Sequence, residues 1–305
     1  MRVPGRLLSI GECMVELSQA GEGLLRPGFA GDTFNTAWYA RACLPADWNV
    51  DYLTALGDDP MSSEMLTFME NAGIGTDAIR RIPGKTPGLY LITLRNGERT
   101  FSYWRDTAAA RRLADDADHL RRQIESADIV YFSGITLGIL TPEANDTLLS
   151  ELRRAKAAGK RVAFDPNVRP RLWADRDTML KTISDGARAA TLVLPSFDDE
   201  TTHFGDRTVD DTINRYHGLG VEGVVVKNGE HGATLSFGGA TSYVPAVQAP
   251  EVVDTTSAGD SFNGGFLSRL VRGAAPEDAA EYGAAVASIV IRHHGALISP
   301  ALLPS

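Results

Sequence analysis

Short apolar runs alternate with longer amphipathic segments through the second half of the chain. The apolar runs predict strands at residues 129–132, 161–165, 192–195 and 223–227. The longer segments predict helices from Thr141, an N-cap followed by Pro142, to Gly159, and over residues 177–190 and 209–219. Strands that alternate with helices predict a doubly wound, mostly parallel sheet with helices on both faces.

Residues 88–105 follow a different pattern. They hold two β-rich runs joined by Asn96-Gly97, a strong hairpin signal. An antiparallel hairpin inside a doubly wound protein predicts a small second sheet, to which residues 13–19 contribute. We expect this sheet to be a lid formed by segments near 12–30 and 88–106, on a single α/β domain spanning residues 1–305.

Composition narrows the possible partners. The chain has 305 residues, of which 43% are hydrophobic and 23% charged, and this is ordinary for a globular protein. The formal net charge of −9 predicts no nucleic-acid partner and no anionic membrane surface as partner. An anionic substrate would therefore need basic residues gathered locally in a pocket.

Cysteine usage and apolar run lengths bear on localisation. Cys13 and Cys43 form no pair motif, and the N-terminal apolar run is too short for a signal peptide. No run approaches the ~18 apolar residues of a membrane helix. We expect a cytoplasmic protein.

The most informative stretch is a glycine turn at residues 254–265, DTTSAGDSFNGG. Ser257, Ala258 and Gly259 are small residues that precede an apolar helix pattern. Backbone N–H groups at a helix start, together with the helix dipole, favour an anion such as a phosphate. Asp260 places a carboxylate at the same helix start. Taken alone, Asp260 would be interpreted as a helix cap.

This stretch resembles the C-terminal signature of the ribokinase (PfkB) carbohydrate kinases, D-T-x-G-A-G-D, with Ser257 in place of the usual glycine. The resemblance implies a ribokinase-like fold that uses ATP and Mg²⁺, and it allows a monovalent cation as a further cofactor. It also implies that Asp260 is the general base. The backbone around Ser257, Ala258 and Gly259 would bind the transferring phosphate.

Residues 30–37, AGDTFNTA, resemble the N-terminal motif of the same family, although the family usually has a second glycine at Ala30. The resemblance implies that Gly31, Asp32 and Asn35 bind sugar hydroxyls. The alternative for Asp32 is an ordinary helix cap.

Two further stretches bear on the nucleotide and metal. Residues 227–232, KNGEHG, resemble the family's K-x-G-x-x-G turn, which implies that Lys227, Gly229 and Gly232 line the nucleotide; a plain β-turn is the alternative. Residues 194–200 align with the N-x-x-E stretch that orders Mg²⁺ through water. The candidates for that part of the site are Ser196, toward the nucleotide, and Asp199 and Glu200, toward the metal.

Residues 164–173, FDPNVRPRLW, resemble a stretch of the subgroup that phosphorylates 2-keto-3-deoxygluconate, a sugar acid. A sugar carboxylate calls for a cation with a planar fork, which arginine supplies. Arg105 and Arg169 are the candidates, although single arginines usually form surface ion pairs. Further substrate contacts are expected from Tyr90, Tyr103 and Ile135, while Asn167 is expected to face the nucleotide.

Three alternatives remain beside a sugar-acid kinase. The nearest is a kinase of the same family for a neutral sugar such as fructose or ribose. A non-catalytic binding protein on the same fold is disfavoured by Asp260, which a binder does not need. A dinucleotide dehydrogenase is disfavoured because no G-x-G-x-x-G follows the first strand. We also expect a homo-oligomer, a dimer that pairs through the lids.

Overall fold

The computed structural model describes residues 5–21, 23–95 and 98–304. The predicted turn at Asn96-Gly97 lies outside these residues. The strands are β1 (Gly5–Ile10), β2 (Met14–Gly21), β3 (Leu24–Ala30), β4 (Trp48–Leu53), β5 (Ala55–Leu56), β6 (Arg80–Arg81), β7 (Leu89–Arg95), β8 (Glu98–Trp104), β9 (Ile129–Ser133), β10 (Arg161–Asp165), β11 (Leu192–Val193), β12 (Gly223–Lys227), β13 (Ala233–Phe237) and β14 (Ala240–Val244). The α-helices are α1 (Asp32–Cys43), α2 (Pro60–Asn71), α3 (Ala117–Glu125), α4 (Gly134–Ile139), α5 (Pro142–Ala157), α6 (Arg176–Ala189), α7 (Phe197–His203), α8 (Val209–Gly218), α9 (Ala258–Leu270) and α10 (Pro276–Val290).

Eight strands form the main sheet in the order β14-β13-β12-β11-β10-β9-β1-β4. The pairs from β4 to β12 are parallel, whereas β13 and β14 add an antiparallel edge. This mostly parallel arrangement confirms the predicted fold class. Strands β13 and β14 lie outside the elements predicted from the sequence.

Both faces of the main sheet are buried. Along β1, Leu8 packs into one hydrophobic core and Leu7 into the other, because successive side chains of a strand point to opposite faces. The first core is closed by residues of α3, α5, α6 and α8, and the second by residues of α1, α2, α9 and α10. The parallel strands therefore have apolar residues on both sides, which explains their continuous apolar runs.

The helix predicted from Thr141 to Gly159 shows how local sequence sets the element boundaries. The Thr141 hydroxyl accepts a hydrogen bond from the Ala144 N–H, and Pro142 occupies the first turn, where its missing N–H costs nothing. Gly159, at φ 78°, stops the helix in a left-handed conformation. No helix in the described residues is long and apolar enough to cross a membrane.

A second, four-stranded sheet has the order β3-β2-β7-β8. Strands β2 and β7 are parallel at its centre, and β3 and β8 are antiparallel edges. The sheet thus joins residues 14–30 to residues 89–104, and it begins at Met14, four residues after the end of β1. A backbone hydrogen bond from Val15 to Gly88 (2.8 Å) ties its two halves together at the root.

Candidate active site

Polar residues from three parallel strands of the main sheet converge at the carboxyl ends of those strands. Ser133, Asp165 and Lys227 are the last residues of β9, β10 and β12. The starts of α1 and α9 face the same edge, as the contacts below show. In open α/β sheets this edge is where ligands bind, since loops and helix N-termini meet there.

Asp260 lies at this edge in the first turn of α9, and α1 orients it. The Asn35 Nδ2 donates to Asp260 Oδ2 at 2.9 Å, and the Thr36 hydroxyl donates to the Asp260 backbone oxygen at 3.3 Å. The Gly31 N–H in turn donates to Asn35 Oδ1 at 3.3 Å. The two glycine-containing turns identified from the sequence, far apart along the chain, therefore meet in space.

Burial raises the pKa of Asp260, and the nearby carboxyl group of Asp32 raises it further. Asp165 acts in the same direction, whereas Asn35 and Lys227 lower the pKa. Burial also raises the pKa of Asp32, offset by hydrogen bonds from Ser133 and Asn167. A carboxyl group whose pKa lies near the working pH is suited to proton transfer.

Beneath α9 lies a buried polar network that carries one positive charge. The Lys227 ammonium donates to Asp165 Oδ2 at 2.8 Å and to Asn263 Oδ1 at 3.1 Å, and Asn263 Nδ2 donates to the same Asp165 oxygen at 2.6 Å. Asn263 also donates to the Tyr131 hydroxyl at 3.1 Å. The ammonium approaches the start of α9, since a Cβ added to Gly259 would lie 3.5 Å from it.

The turn into α9 explains why a glycine is usual at position 257. Ser257 has φ 64° and ψ 13°, a left-handed conformation that glycine adopts without strain. In this turn the Ala258 N–H donates to the Thr255 oxygen at 3.2 Å. Of the backbone donors at the helix start, those of Gly259 and Asp260 are therefore better placed for a phosphate than that of Ala258.

Asp32 and Asn167 meet across the site, at the starts of α1 and of the loop after β10. Asn167 Nδ2 donates to Asp32 Oδ2 at 2.9 Å. The Asn167 N–H donates to Asp165 Oδ1 at 3.0 Å, and this turn holds Asn167 at a positive φ of 33°. In this structure Asn167 therefore faces the predicted sugar site, whereas a nucleotide contact is the sequence-based prediction.

The turn after β12 carries the predicted nucleotide glycines. Gly229 and Gly232 have φ values of 52° and 79°, so the turn needs glycines for its backbone conformation. A Cβ at Gly232 would also lie 2.2 Å from the Val244 oxygen, so packing against β14 is a second reason for this glycine. Ser196 forms a parallel β-bridge with Lys227, which places the predicted metal-binding stretch beside this turn.

The two predicted magnesium carboxylates separate in the structure. Asp199 is partly exposed, accepts a hydrogen bond from the Val168 N–H at 3.3 Å and lies 3.7 Å from the Arg169 guanidinium. Glu200 is fully buried, and its oxygens are engaged by Tyr216 (2.9 Å) and Arg215 (2.5 Å). In this structure Glu200 is therefore paired inside the protein, whereas a magnesium contact is the sequence-based prediction.

Asp199 fits a magnesium ion held mainly by water and phosphates. Mg²⁺ keeps several waters and uses one or two protein carboxylates. Within residues 5–21, 23–95 and 98–304, no group of three or more His, Cys, Asp or Glu side chains could hold a metal ion. One partly exposed carboxylate beside the predicted nucleotide turn matches this mode of binding.

The small sheet brings Tyr90, Tyr103 and Arg105 together. The two tyrosine rings lie 5.9 Å apart, and the Arg105 guanidinium carbon is 5.9 Å from the Tyr103 ring. The Tyr90 hydroxyl donates to Glu16, and the Arg105 guanidinium forms an ion pair with Glu12. Tyr103 is 46% exposed, so one edge of this cluster is open to solvent.

Arg169 and Ile135 complete the predicted substrate set. The Arg169 side chain is 53% exposed, donates to the Val168 oxygen at 2.8 Å and pairs with Asp199. Ile135, in the first turn of α4, is partly buried against the core. Neither has a described contact with the tyrosine cluster.

Sequence reasoning missed four polar residues that complete the site: Glu12, Glu16, Asp165 and Asn263. Asp165 and Asn263 stand inside stretches identified from the sequence, and a signal existed, since both interrupt apolar patterns. The pairings of Glu12 and Glu16 could not be found from the sequence, because their partners lie 93 and 74 residues away in the chain.

This fold, with a carboxylate at the start of α9 and a glycine turn after β12, agrees with the expected carbohydrate kinase. A sequence model described as "pfkB family carbohydrate kinase" matches residues 5–302. The chain belongs to this family, whose members use ATP and Mg²⁺ to phosphorylate sugars.

Relatives with assigned names are similar over nearly their full length. The 2-dehydro-3-deoxygluconokinase of Dickeya dadantii is 45% identical over 97% of both chains. That of Escherichia coli K12 is 41% identical over 98% of this chain and 99% of its own. Among solved structures, a PfkB protein from Polaromonas sp. JS666 superposes with a TM-score of 0.83 at 25% identity, covering 94% of this chain and 96% of its own.

Proposed function

We propose that this carbohydrate kinase phosphorylates 2-keto-3-deoxygluconate, also called 2-dehydro-3-deoxygluconate, on its terminal primary hydroxyl. The observation that carries the proposal is the similarity to kinases named for this substrate, at 37–45% identity over at least 95% of each chain. The cluster of Tyr90, Tyr103 and Arg105 supports it, because it offers a cation and two phenols to a sugar acid.

In this proposal Asp260 is the general base. The Asn35 amide holds one carboxylate oxygen at 2.9 Å and leaves the other for the proton of the sugar hydroxyl. Burial and Asp32 raise the pKa of Asp260, which strengthens it as a base when it is ionised. Asp32 and Gly31 then bind neighbouring sugar hydroxyls and fix the attacking oxygen next to Asp260.

Phosphoryl transfer depends mainly on positioning and charge. ATP would supply the phosphoryl group, and Mg²⁺, held through water by Asp199, would offset the negative charge of the phosphates. The Gly259 and Asp260 amides, with the Lys227 ammonium beneath them, stabilise negative charge at the start of α9. Residues of the turn at 229–232, with Ser196, line the nucleotide, and Asp199 holds the metal through water.

The small sheet acts as a lid in this mechanism. Closure over the sugar would exclude water and limit hydrolysis of ATP. Its exposed large side chains also support a dimer that pairs through the lids: Leu24, Leu25, Tyr103 and Trp104. Light scattering of the wild type and of a Leu24→Lys, Leu25→Lys variant tests this contact, since the variant should be monomeric.

A coupled ATPase screen tests the substrate. The wild type is assayed with 2-keto-3-deoxygluconate, its galactonate epimer, fructose and ribose, with and without K⁺, because the family resemblance allows a monovalent cation as a further cofactor. We expect the highest kcat/KM for a 2-keto-3-deoxy sugar acid. A higher kcat/KM for fructose or ribose would assign the protein to the neutral-sugar alternative.

A further inference from the structure

Glu12 lies at the junction of the main sheet and the small sheet. It stands two residues after the end of β1 and two residues before β2. Its backbone oxygen would lie 2.1 Å from a Cβ at Gly31, so the start of α1 packs directly against it. Its side chain extends to Arg105, just after β8. One residue thus contacts both the predicted sugar-hydroxyl site and the predicted carboxylate site.

The ion pair between Glu12 and Arg105 is buried. The Glu12 side chain has no exposed surface, and that of Arg105 is 10% exposed. Burying two charges is costly unless they are paired and hydrogen-bonded with good geometry. A surface cation would bind a sugar acid without this cost, so the buried arrangement calls for an explanation.

Two atoms of the pair are left without partners. The Arg105 Nη2 donates to Glu12 Oε2, while Arg105 Nε and Glu12 Oε1 are both buried and have no hydrogen-bond partner among the residues that the structure describes. These two atoms belong to the edges that face each other in a bidentate arginine–carboxylate pair. A hydrogen bond between these two atoms would complete that fork.

Space for this carboxylate depends on Gly88. A Cβ at position 88 would lie 2.5 Å from Glu12 Oε1 and 3.2 Å from the Arg105 Cβ. Gly88 precedes β7, so the small sheet itself provides the space. The pair therefore occupies a specific place at the root of this sheet.

We propose that Glu12 is a positioning residue: it binds the Nε/Nη2 edge of Arg105 and thereby directs the other edge of the guanidinium toward the carboxylate of the sugar acid. A guanidinium has two forked edges, so one can bind Glu12 while the other binds substrate. The inference rests on the proposed function, and it assigns a role in substrate specificity to Glu12.

Two opposite effects follow from the removal of the Glu12 charge. Loss of a nearby negative charge favours a second carboxylate at Arg105, whereas loss of the contact with Glu12 leaves the long arginine side chain free to leave the position from which it would bind substrate. The geometry favours the second effect, because the arginine is held at its Nη2 by Glu12 alone among the described side chains.

The test is a double-mutant cycle with Glu12→Gln and Arg105→Ala, assayed with 2-keto-3-deoxygluconate and ATP. Glutamine keeps the shape, but its NH₂ group cannot accept from Arg105. We expect Glu12→Gln to raise KM for the sugar acid about tenfold, the loss of roughly one charged hydrogen bond. The kcat and the KM for ATP should change less than threefold. In the Arg105→Ala background, Glu12→Gln should have no further effect on KM.

Two more variants separate positioning from folding. Gly88→Ala displaces the Glu12 carboxylate without removing its charge, and it should raise the same KM. Asp118→Asn breaks the surface pair with Arg121, with the aspartate 76% exposed, and it should leave KM unchanged. If Glu12→Gln does not fold, the KM of Gly88→Ala for the sugar acid alone decides whether Glu12 positions Arg105.

The outcomes distinguish this inference from the proposed function. An unchanged or lower KM in Glu12→Gln, or equal effects with and without Arg105, would overturn the role of Glu12 while the substrate assignment stands. A wild type that does not phosphorylate the sugar acid would overturn the proposed function instead.

Discussion

The carboxyl ends of the main-sheet strands, together with the starts of α1 and α9, form the floor of the site. This floor is built differently from the small sheet. On the floor, Asp165, Lys227 and Asn263 bind one another, and Asp260 is held by Asn35, all on main-sheet strands or on helices packed against them. The small sheet carries exposed aromatic side chains and is joined to the main sheet at Glu12 by a buried ion pair. The groups proposed for chemistry are therefore fixed before substrate arrives, whereas Tyr90, Tyr103 and Arg105, which are proposed to recognise the sugar acid, lie on a separate layer.

This difference has a physical basis. Phosphoryl transfer is faster when the catalytic groups are already oriented, because they then need no reorganisation during the reaction. Recognition of a sugar acid must admit the substrate and then exclude water, so it requires a surface that can separate from the floor. Variants on the floor should therefore change kcat, and variants on the small sheet should change KM.

The largest effect is expected for Asp260→Asn. Loss of the proposed base should lower kcat by ~10² to 10⁴, the usual range for general-base catalysis. The KM for ATP should remain close to wild type, because asparagine keeps the hydrogen bond from Asn35 and so leaves the start of α9 in place. The measurement is steady-state kinetics at saturating sugar acid. A variant with more than half of the wild-type kcat would remove Asp260 from the mechanism.

The small sheet gives the next effect. Arg105→Ala should raise KM for 2-keto-3-deoxygluconate at least about tenfold, since a hydrogen bond to a charged group contributes ~1.5–3 kcal/mol. A neutral sugar, if turned over, should be affected much less. Arg169→Ala should also raise this KM, but Arg169 contacts Asp199, so part of its effect is expected in the magnesium dependence. Equal losses for acid and neutral sugar in Arg105→Ala would show that Arg105 only shapes the sheet.

Asp199, the residue proposed to hold the magnesium ion, should give an intermediate effect. Asp199→Asn should raise the Mg²⁺ concentration for half-maximal activity about tenfold, the lower end of the range for residues that act around a metal ion. The exposed neighbour Asp198 provides a matched control, and Asp198→Asn should leave the titration unchanged. Equal titrations for the two variants would contradict the role of Asp199.

The sequence predicted the floor better than the small sheet. Local signals such as the Thr141 cap, Pro142 and the glycine turn into α9 are short-range, and the elements that they predict are present. The bonds that assemble the site are long-range: Asn35 meets Asp260 across 225 residues, and Glu12 meets Arg105 across 93. Family resemblance placed Asn35 and Asp260 in one site, but no pattern in the sequence indicated that Arg105 has a buried partner.

For Glu200, by contrast, a local sequence pattern suggested a contact that the structure does not form. Its position beside Asp199 suggested a metal ligand, but residues adjacent on a helix point about 100° apart. Asp199 therefore faces the Val168 backbone, whereas Glu200 faces α8 and pairs with Arg215 and Tyr216. Helix geometry would have predicted different directions for the two carboxylates if α7 had been predicted from the sequence. The α7 helix was not predicted, and Ser196, the residue before it, makes no side-chain capping hydrogen bond.

The smallest effect concerns stability and follows from the same carboxyl group on the floor. Burial, with Asp32 close by, raises the pKa of Asp260 to about 7, above the value near 3.9 of an unfolded chain. The folded wild type then binds more protons than the unfolded chain between these two values, so its stability falls as pH rises through this window.

Asp260→Asn has no such proton to lose. Its Tm should equal that of wild type near pH 4 and exceed it by at least ~3 °C at pH 8. This expectation uses a Tm change of roughly 2–4 °C per kcal/mol of stability, the range for chains of this size or somewhat smaller. Thermal melts of both proteins from pH 4 to 8 measure this difference, with Asp118→Asn as a surface control that should show no trend. A lower Tm for Asp260→Asn at pH 8 would mean that the ionised carboxylate is stabilised in the site, and the acid limb of the kcat profile should then lie well below pH 7.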